Sequence, residues 1–192
     1  MRRYTIALAI IVSSSLLVIP VLAQAQGQQA NNNVPLIPFE SVPNFLKYSP
    51  DMNLGETLAV AVNSKGNIMV LNHPGSANSG GPLYGNATSQ LLEFDENGDF
   101  LREIGQNVYG LGYSHSIRYD RYDNLWLVDK GANTAIKFDP AGYVTMNLGR
   151  RPEGFDEYEH LSGPDAVAQD GFFGGPSDVA WDAEDNIFIS DG

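Results

Sequence analysis

The chain has 192 residues, 23 acidic against 11 basic side chains, a net charge of −12 and no cysteine. Such acidity argues against nucleic acid and anionic lipid as partners. Without cysteine there are no disulfides, so the fold is held by its core or by bound metal.

The first stretch, "MRRYTIALAIIVSSSLLVIPVLAQAQ", has Arg2 and Arg3, an apolar run from Ile6 to Leu22 and the small-residue pattern Ala23-Gln24-Ala25. It reads as a secretory signal peptide over residues 1–25, which makes the mature protein secreted or periplasmic. The competing reading is an uncleaved membrane anchor. Ser13–Ser15 and Pro20, which interrupt the run, count against it. Losing the two arginines leaves 9 basic against 23 acidic residues, about −14. No membrane association is expected after cleavage. Residues 26–56 follow as a disordered polar leader, "QGQQANNN", and a proline-rich lead-in segment that packs across a sheet or supplies a closing strand.

From Thr57 onward one skeleton occurs three times: "TLAVAVNSKGNIMVLNH" (57–73), "HSIRYDRYDNLWLVDK" (115–130) and "GPSDVAWDAEDNIFISDG" (175–192). Aligned, Asn63, Asp120 and Asp182 share a column, as do Asn67, Asn124 and Asn186. Each copy is an apolar strand, a short Asp/Asn/Gly turn and a second apolar strand. Strands are predicted at Leu58–Val62, Ile68–Leu71, Gln90–Phe94, Phe100–Ile104, His115–Tyr119, Leu125–Val128, Ala135–Phe138, Val144–Leu148, Ser177–Trp181 and Ile187–Ser190. Asn63, Asp95, Asp120, Asp139 and Asp182 are expected to cap their turns with side-chain oxygens. "DENGD" (95–99) lacks the sixth-position glycine and twelfth-position Glu of a calcium loop, so it reads as a turn.

Tandem four-stranded antiparallel units describe the blades of a β-propeller. The units are 57–105, 113–149 and an incomplete 175–192, with long loops at 72–89 and 150–175. The fold class is therefore all-β. Two and a half blades cannot close a ring, so the chain reads as an N-terminal piece whose sheet edges lie open when it stands alone. Trp126 and Trp181 are expected to pack between blades, and His73 and His160 to lie solvated in loops. Asn86-Ala87-Thr88 fits a glycosylation acceptor.

The phrases "HSIRYDRYDNLWLVDKGANTAIKFDPAGYVTMNLG" and "GGPSDVAWDAEDNIFISDG" resemble NHL repeats. More narrowly, they are similar to the bacterial relatives of peptidyl-α-hydroxyglycine α-amidating lyase, a six-bladed propeller enzyme. The resemblance covers roughly residues 55–192. It implies a lyase that splits a peptidyl-α-hydroxyglycine into a peptide amide and glyoxylate, with zinc held on the axis by histidines from different blades. It also implies a calcium bound by backbone carbonyls. On this resemblance His115 is a zinc ligand, and Val60 and Ile117 supply calcium-binding carbonyls. The remaining histidines, and a tyrosine directly after Gly192, would lie beyond this sequence. His73 is followed by Pro74 where the animal enzymes carry an arginine, and the absence of cysteine is a second departure. No phosphate loop, HExxH or GxSxG is present.

Two classes of function remain open at this point. One is the metal-dependent lyase acting on a small-molecule or peptide substrate. The other is a non-catalytic propeller that binds a peptide, glycan or protein partner through the loops 72–89 and 150–175. Further histidines in a complete reading frame favour the first.

Overall fold

Five hairpin turns among the described residues share one hydrogen-bond scheme, and that scheme sets the register of everything else. They run Asn63–Asn67, Asp95–Asp99, Asp120–Asn124, Asp139–Tyr143 and Asp182–Asn186. In each, the first residue's N–H donates to the carbonyl of the fifth, and its own carbonyl accepts from the fourth residue's N–H. The fourth residue is left-handed in every case: Gly66, Gly98, Asp123, Gly142 and Asp185, with φ between 60° and 96°. Glycine and aspartate tolerate that conformation. The first residue's side-chain oxygen caps the turn as expected, taking N–H groups two and four residues on at Asn63, Asp95, Asp120 and Asp182. Asp139 takes the Tyr143 N–H.

The structure, a computed structural model, describes Pro35 and residues 37–74, 89–150 and 167–192. The predicted signal peptide, the polar leader, His160, Asn86 and most of both long loops lie outside the described residues. The chain divides into two compact units, residues 1–41 and 42–192. Residues 37–41 of the first have no regular structure. All ten strands belong to the second.

They are β1 (Glu56–Val62), β2 (Ile68–His73), β3 (Gln90–Phe94), β4 (Phe100–Ile104), β5 (Ser114–Tyr119), β6 (Leu125–Asp129), β7 (Thr134–Phe138), β8 (Val144–Gly149), β9 (Pro176–Trp181) and β10 (Ile187–Asp191). They form two four-stranded sheets, β1–β4 and β5–β8, and the pair β9–β10, all antiparallel with neighbours adjacent in sequence. Every predicted strand is present, most of them extended by one or two polar residues. The all-β fold is observed.

Period-two alternation distributes the side chains between layers. Met69, Leu71, Leu91 and Ile104 of the first sheet pack on Ile117, Leu125, Leu127, Ile136 and Phe138 of the second. Their neighbours in sequence face the other way. Trp126, Val128 and Ala135 meet Val179, Trp181 and Ile189 of the third sheet. The Trp126 and Trp181 rings lie 5.6 Å apart, so these tryptophans do pack between sheets.

The remaining face of the first sheet, Val70, Leu92 and Phe94, is covered by Leu46, Met52 and Leu54 of the lead-in segment. The segment thus packs across a sheet, and it also makes a single parallel bridge between Lys47 and Asp99. The Lys47 N–H donates to the Gly98 carbonyl at 2.7 Å. A Cβ on Gly98 would lie 2.1 Å from the Phe45 carbonyl, so only glycine admits this approach.

Candidate functional site

Each first strand carries a bulge in the same register. Pairing skips Leu58 between Thr57 and Ala59, His115 between Ser114 and Ser116, and Ser177 between Pro176 and Asp178. A bulged residue is released from the ladder and its side chain is re-aimed. Leu58, His115 and Ser177 are therefore equivalent sockets, and His115 fills the middle one.

Around His115 the ends of β1, β2, β5 and β6 bring a polar group together. The Tyr113 ring meets His115 edge-on at 4.6 Å and lies 5.2 Å from the ring of His73. Glu56 Oε2 is 3.5 Å from His73 Nδ1. Asp129, fully buried, accepts from the Tyr113 N–H at 3.0 Å, the Ser114 hydroxyl at 2.7 Å and the Ala132 N–H at 2.6 Å. These bonds tie the strand end that carries His115 to the β6–β7 connection.

The His115 Nε2 atom is buried and makes no hydrogen bond among the described residues. A buried polar atom without compensation costs free energy, so its presence calls for a ligand or a reason. Burial lowers the basicity of His115, and the charges of Lys130 and His73 push the same way against Asp129 and Glu56. The ring is thus biased to the neutral form, the one that offers a lone pair.

His73 requires a correction. It was expected in a solvated loop, but it is the last residue of β2 and only 1% exposed. Apolar periodicity ends at Leu71, so the strand looked finished. Pairing continues through Asn72 and His73 to Thr57 and Glu56.

Asp129 was also missed. A signal existed in the column Asn72, Asp129 and Asp191, whose side chains all take N–H groups from the segment entering the first strand: Gly55, Tyr113, and Gly174 with Gly175.

Val60 and Ile117 do come together. With Val179, their column mate, they line a hollow of about 420 Å³ shared with Val62, Tyr119 and Trp181. In antiparallel pairs, successive residues direct their backbone groups alternately toward and away from the partner strand. Counting back from the bonded turn residues Asn63, Asp120 and Asp182, the carbonyls of Val60, Ile117 and Val179 point off the free edges of β1, β5 and β9. Among the described residues no three His, Asp or Glu side chains gather to hold a metal.

No protein-family profile matches the chain, and no curated protein does. Among solved structures, the chain is similar to a protein of unknown function from Bacteroides caccae, with 12% identity and a TM-score of 0.41. The match covers 71% of this chain and 39% of that one. A likeness of this depth assigns no chemistry.

Proposed function

We propose that residues 57–192 form blades of an exported, six-bladed NHL-type β-propeller, and that its chemistry is that of a metal-dependent lyase. The observation that carries the reading is the buried Nε2 of His115, set in a bulge and without a hydrogen bond among the described residues. The reaction would break the carbon–nitrogen bond of a peptidyl-α-hydroxyglycine. The hydroxyl oxygen becomes the carbonyl of glyoxylate, and its proton passes to the departing amide nitrogen.

His115 fits a zinc ion as one imidazole ligand, and further ligands would have to come from outside the described residues. Backbone oxygens at Val60 and Ile117 suit a hard cation such as calcium. Zinc, when bound, would act as a Lewis acid on the substrate oxygen. The chain's own residues do the positioning. Asp129 fixes the strand end, Tyr113 walls one side of the imidazole, and burial favours the neutral form of His115.

Elemental analysis of the purified natural protein should find about one zinc per chain, lost in His115→Ala with the β-sheet spectrum unchanged. A protein without zinc, or a His115→Ala variant that keeps it, overturns the lyase reading. The propeller would then be a non-catalytic module for a peptide, glycan or protein partner.

A further inference from the structure

The two interfaces between sheets are built on the same columns but are not filled alike. Between the second and third sheets, Trp126 and Trp181 occupy the turn-side end of the layer. Their column mates between the first and second sheets are Met69 and Tyr119, which fill far less space. A hollow of about 400 Å³ opens there. That volume lies within the roughly 300–1,000 Å³ typical of small-molecule sites.

Its polar lining includes Lys65, Asn67, Glu93, Arg102, Tyr119, Asp123 and Asp139, and its apolar lining Met69, Leu101 and Leu125. Glu93 is 4% exposed and held by the Arg102 Nε–H at 2.6 Å and the Asn67 amide at 3.0 Å. The Asn67 amide is free to turn there for a local reason. Asn124 and Asn186 give theirs to the carboxylates of Asp120 and Asp182, whereas the same column in the first repeat holds Asn63.

The Tyr119 hydroxyl has no hydrogen bond among the described residues. Burial, and then the charge of Glu93, push its pKa far up, so it stays a protonated donor. Its column mates Val62 and Trp181 are apolar, so the repeat itself does not need that hydroxyl.

We propose that this hollow is a binding site for a neutral, polyhydroxylated ligand, a monosaccharide or the terminal sugar of a glycan. Two positive groups (Lys65, Arg102) face three negative ones (Glu93, Asp123, Asp139), and Arg102 is already paired with Glu93, so the small net charge disfavours a strongly charged occupant. Arg102 already spends its guanidinium on Glu93 and on the Pro140 and Ala141 carbonyls, so a ligand meets the Tyr119 hydroxyl, the Lys65 ammonium and the spare lone pairs of the carboxylates, and a hydroxyl can serve both donors and acceptors. Leu101, half-exposed in the lining, offers apolar surface to the C–H face of a sugar ring. The site is separate from His115 and does not depend on a metal there.

The test is titration of the purified protein with methyl pyranosides of glucose, galactose, mannose and N-acetylglucosamine, and with their oligosaccharides, followed by saturation-transfer NMR. At least one should bind saturably. An oligosaccharide ten times tighter than its methyl pyranoside identifies a glycan end, and equal affinity identifies the free sugar. Tyr119→Phe should weaken binding roughly two- to tenfold. Tyr119→Trp, which copies Trp181 and fills the hollow, should abolish it without lowering the thermal midpoint. Should Tyr119→Trp not fold, Lys65→Ala at the exposed rim replaces it, with a several-fold loss expected. Saturable binding by none of these sugars overturns the proposal. So does binding that is undiminished in a folded Tyr119→Trp or in Lys65→Ala.

Discussion

Arg118 grips Asp178 across 60 residues of sequence, its Nε–H donating to Oδ1 at 2.7 Å while an Nη2–H donates to Oδ2. The Ser116 hydroxyl adds a third bond at 2.7 Å, so two residues of β5 hold one carboxylate of β9. The first and second sheets are joined by a comparable tie at the turns. There Ser64 donates its N–H and its hydroxyl to Asp123 at 2.8 and 2.6 Å. The turn tie recurs one repeat later as Arg121 to Asp185. Successive sheets are therefore tied by hydrogen bonds to carboxylates as well as by apolar packing.

The Asp178 tie makes stability depend on acid. Arg118, then the Ser116 hydroxyl, outweigh burial and lower the Asp178 pKa from 3.8 to about 2. Its folded value lies below its unfolded one, so the contribution is complete above about pH 4 and drains away as pH falls toward 2. The side chain is 40% exposed, and solvent screening reduces the effect to about 1 kcal/mol. Urea titrations of wild type and Asp178→Asn should differ at pH 6 and converge near pH 2. A difference that persists undiminished at pH 2 would show that the carboxylate's charge is not what matters.

Trp126 is the largest fully buried side chain among the described residues, and its indole N–H also donates to Asp120 at 3.0 Å. Trp126→Ala should cost about 3–5 kcal/mol by opening a cavity between the second and third sheets. Trp126→Phe keeps most of the buried area and loses the hydrogen bond, about 1 kcal/mol. Equal denaturation midpoints for the two variants would contradict packing as the main role of this ring.

The turn caps differ in how many donors they serve. Asp120 takes the Tyr122 and Asn124 N–H groups, the Asn124 amide and the Trp126 indole. Burial alone would raise its pKa, but the Asn124 amide and the indole outweigh that and lower it. Asn63 takes only the N–H groups of Lys65 and Asn67. Asp120→Ala should therefore cost about 2–3 kcal/mol and Asn63→Ala about 1 kcal/mol. Thermal unfolding of both variants checks the order, and the reverse order would refute it.

The strands could be read from the chain because each turn carries its own chemistry. Asx caps and left-handed Gly or Asp residues mark the hairpins locally, and alternation fills in the strands between them. Strand ends were less legible. Asn72, His73, Ser114 and Asp129 are polar and pair because the neighbouring strand is already in place, a tertiary effect that apolar periodicity does not report. The same holds at the site. His115 was singled out by the family resemblance, whereas Glu56 and His73 meet only because β1 and β2 extend past their apolar stretches.

The aligned bulges at Leu58, His115 and Ser177 separate two demands that usually compete. A residue outside the ladder can change chemical character with little effect on pairing, while the Asx turns below and the Asn72, Asp129 and Asp191 ties above keep the strand in place. An aliphatic, an imidazole and a hydroxyl already occupy one address in three copies of one frame. Duplication of such a frame multiplies a tolerant position, so new chemistry can be tried at one copy while the others go on holding the fold.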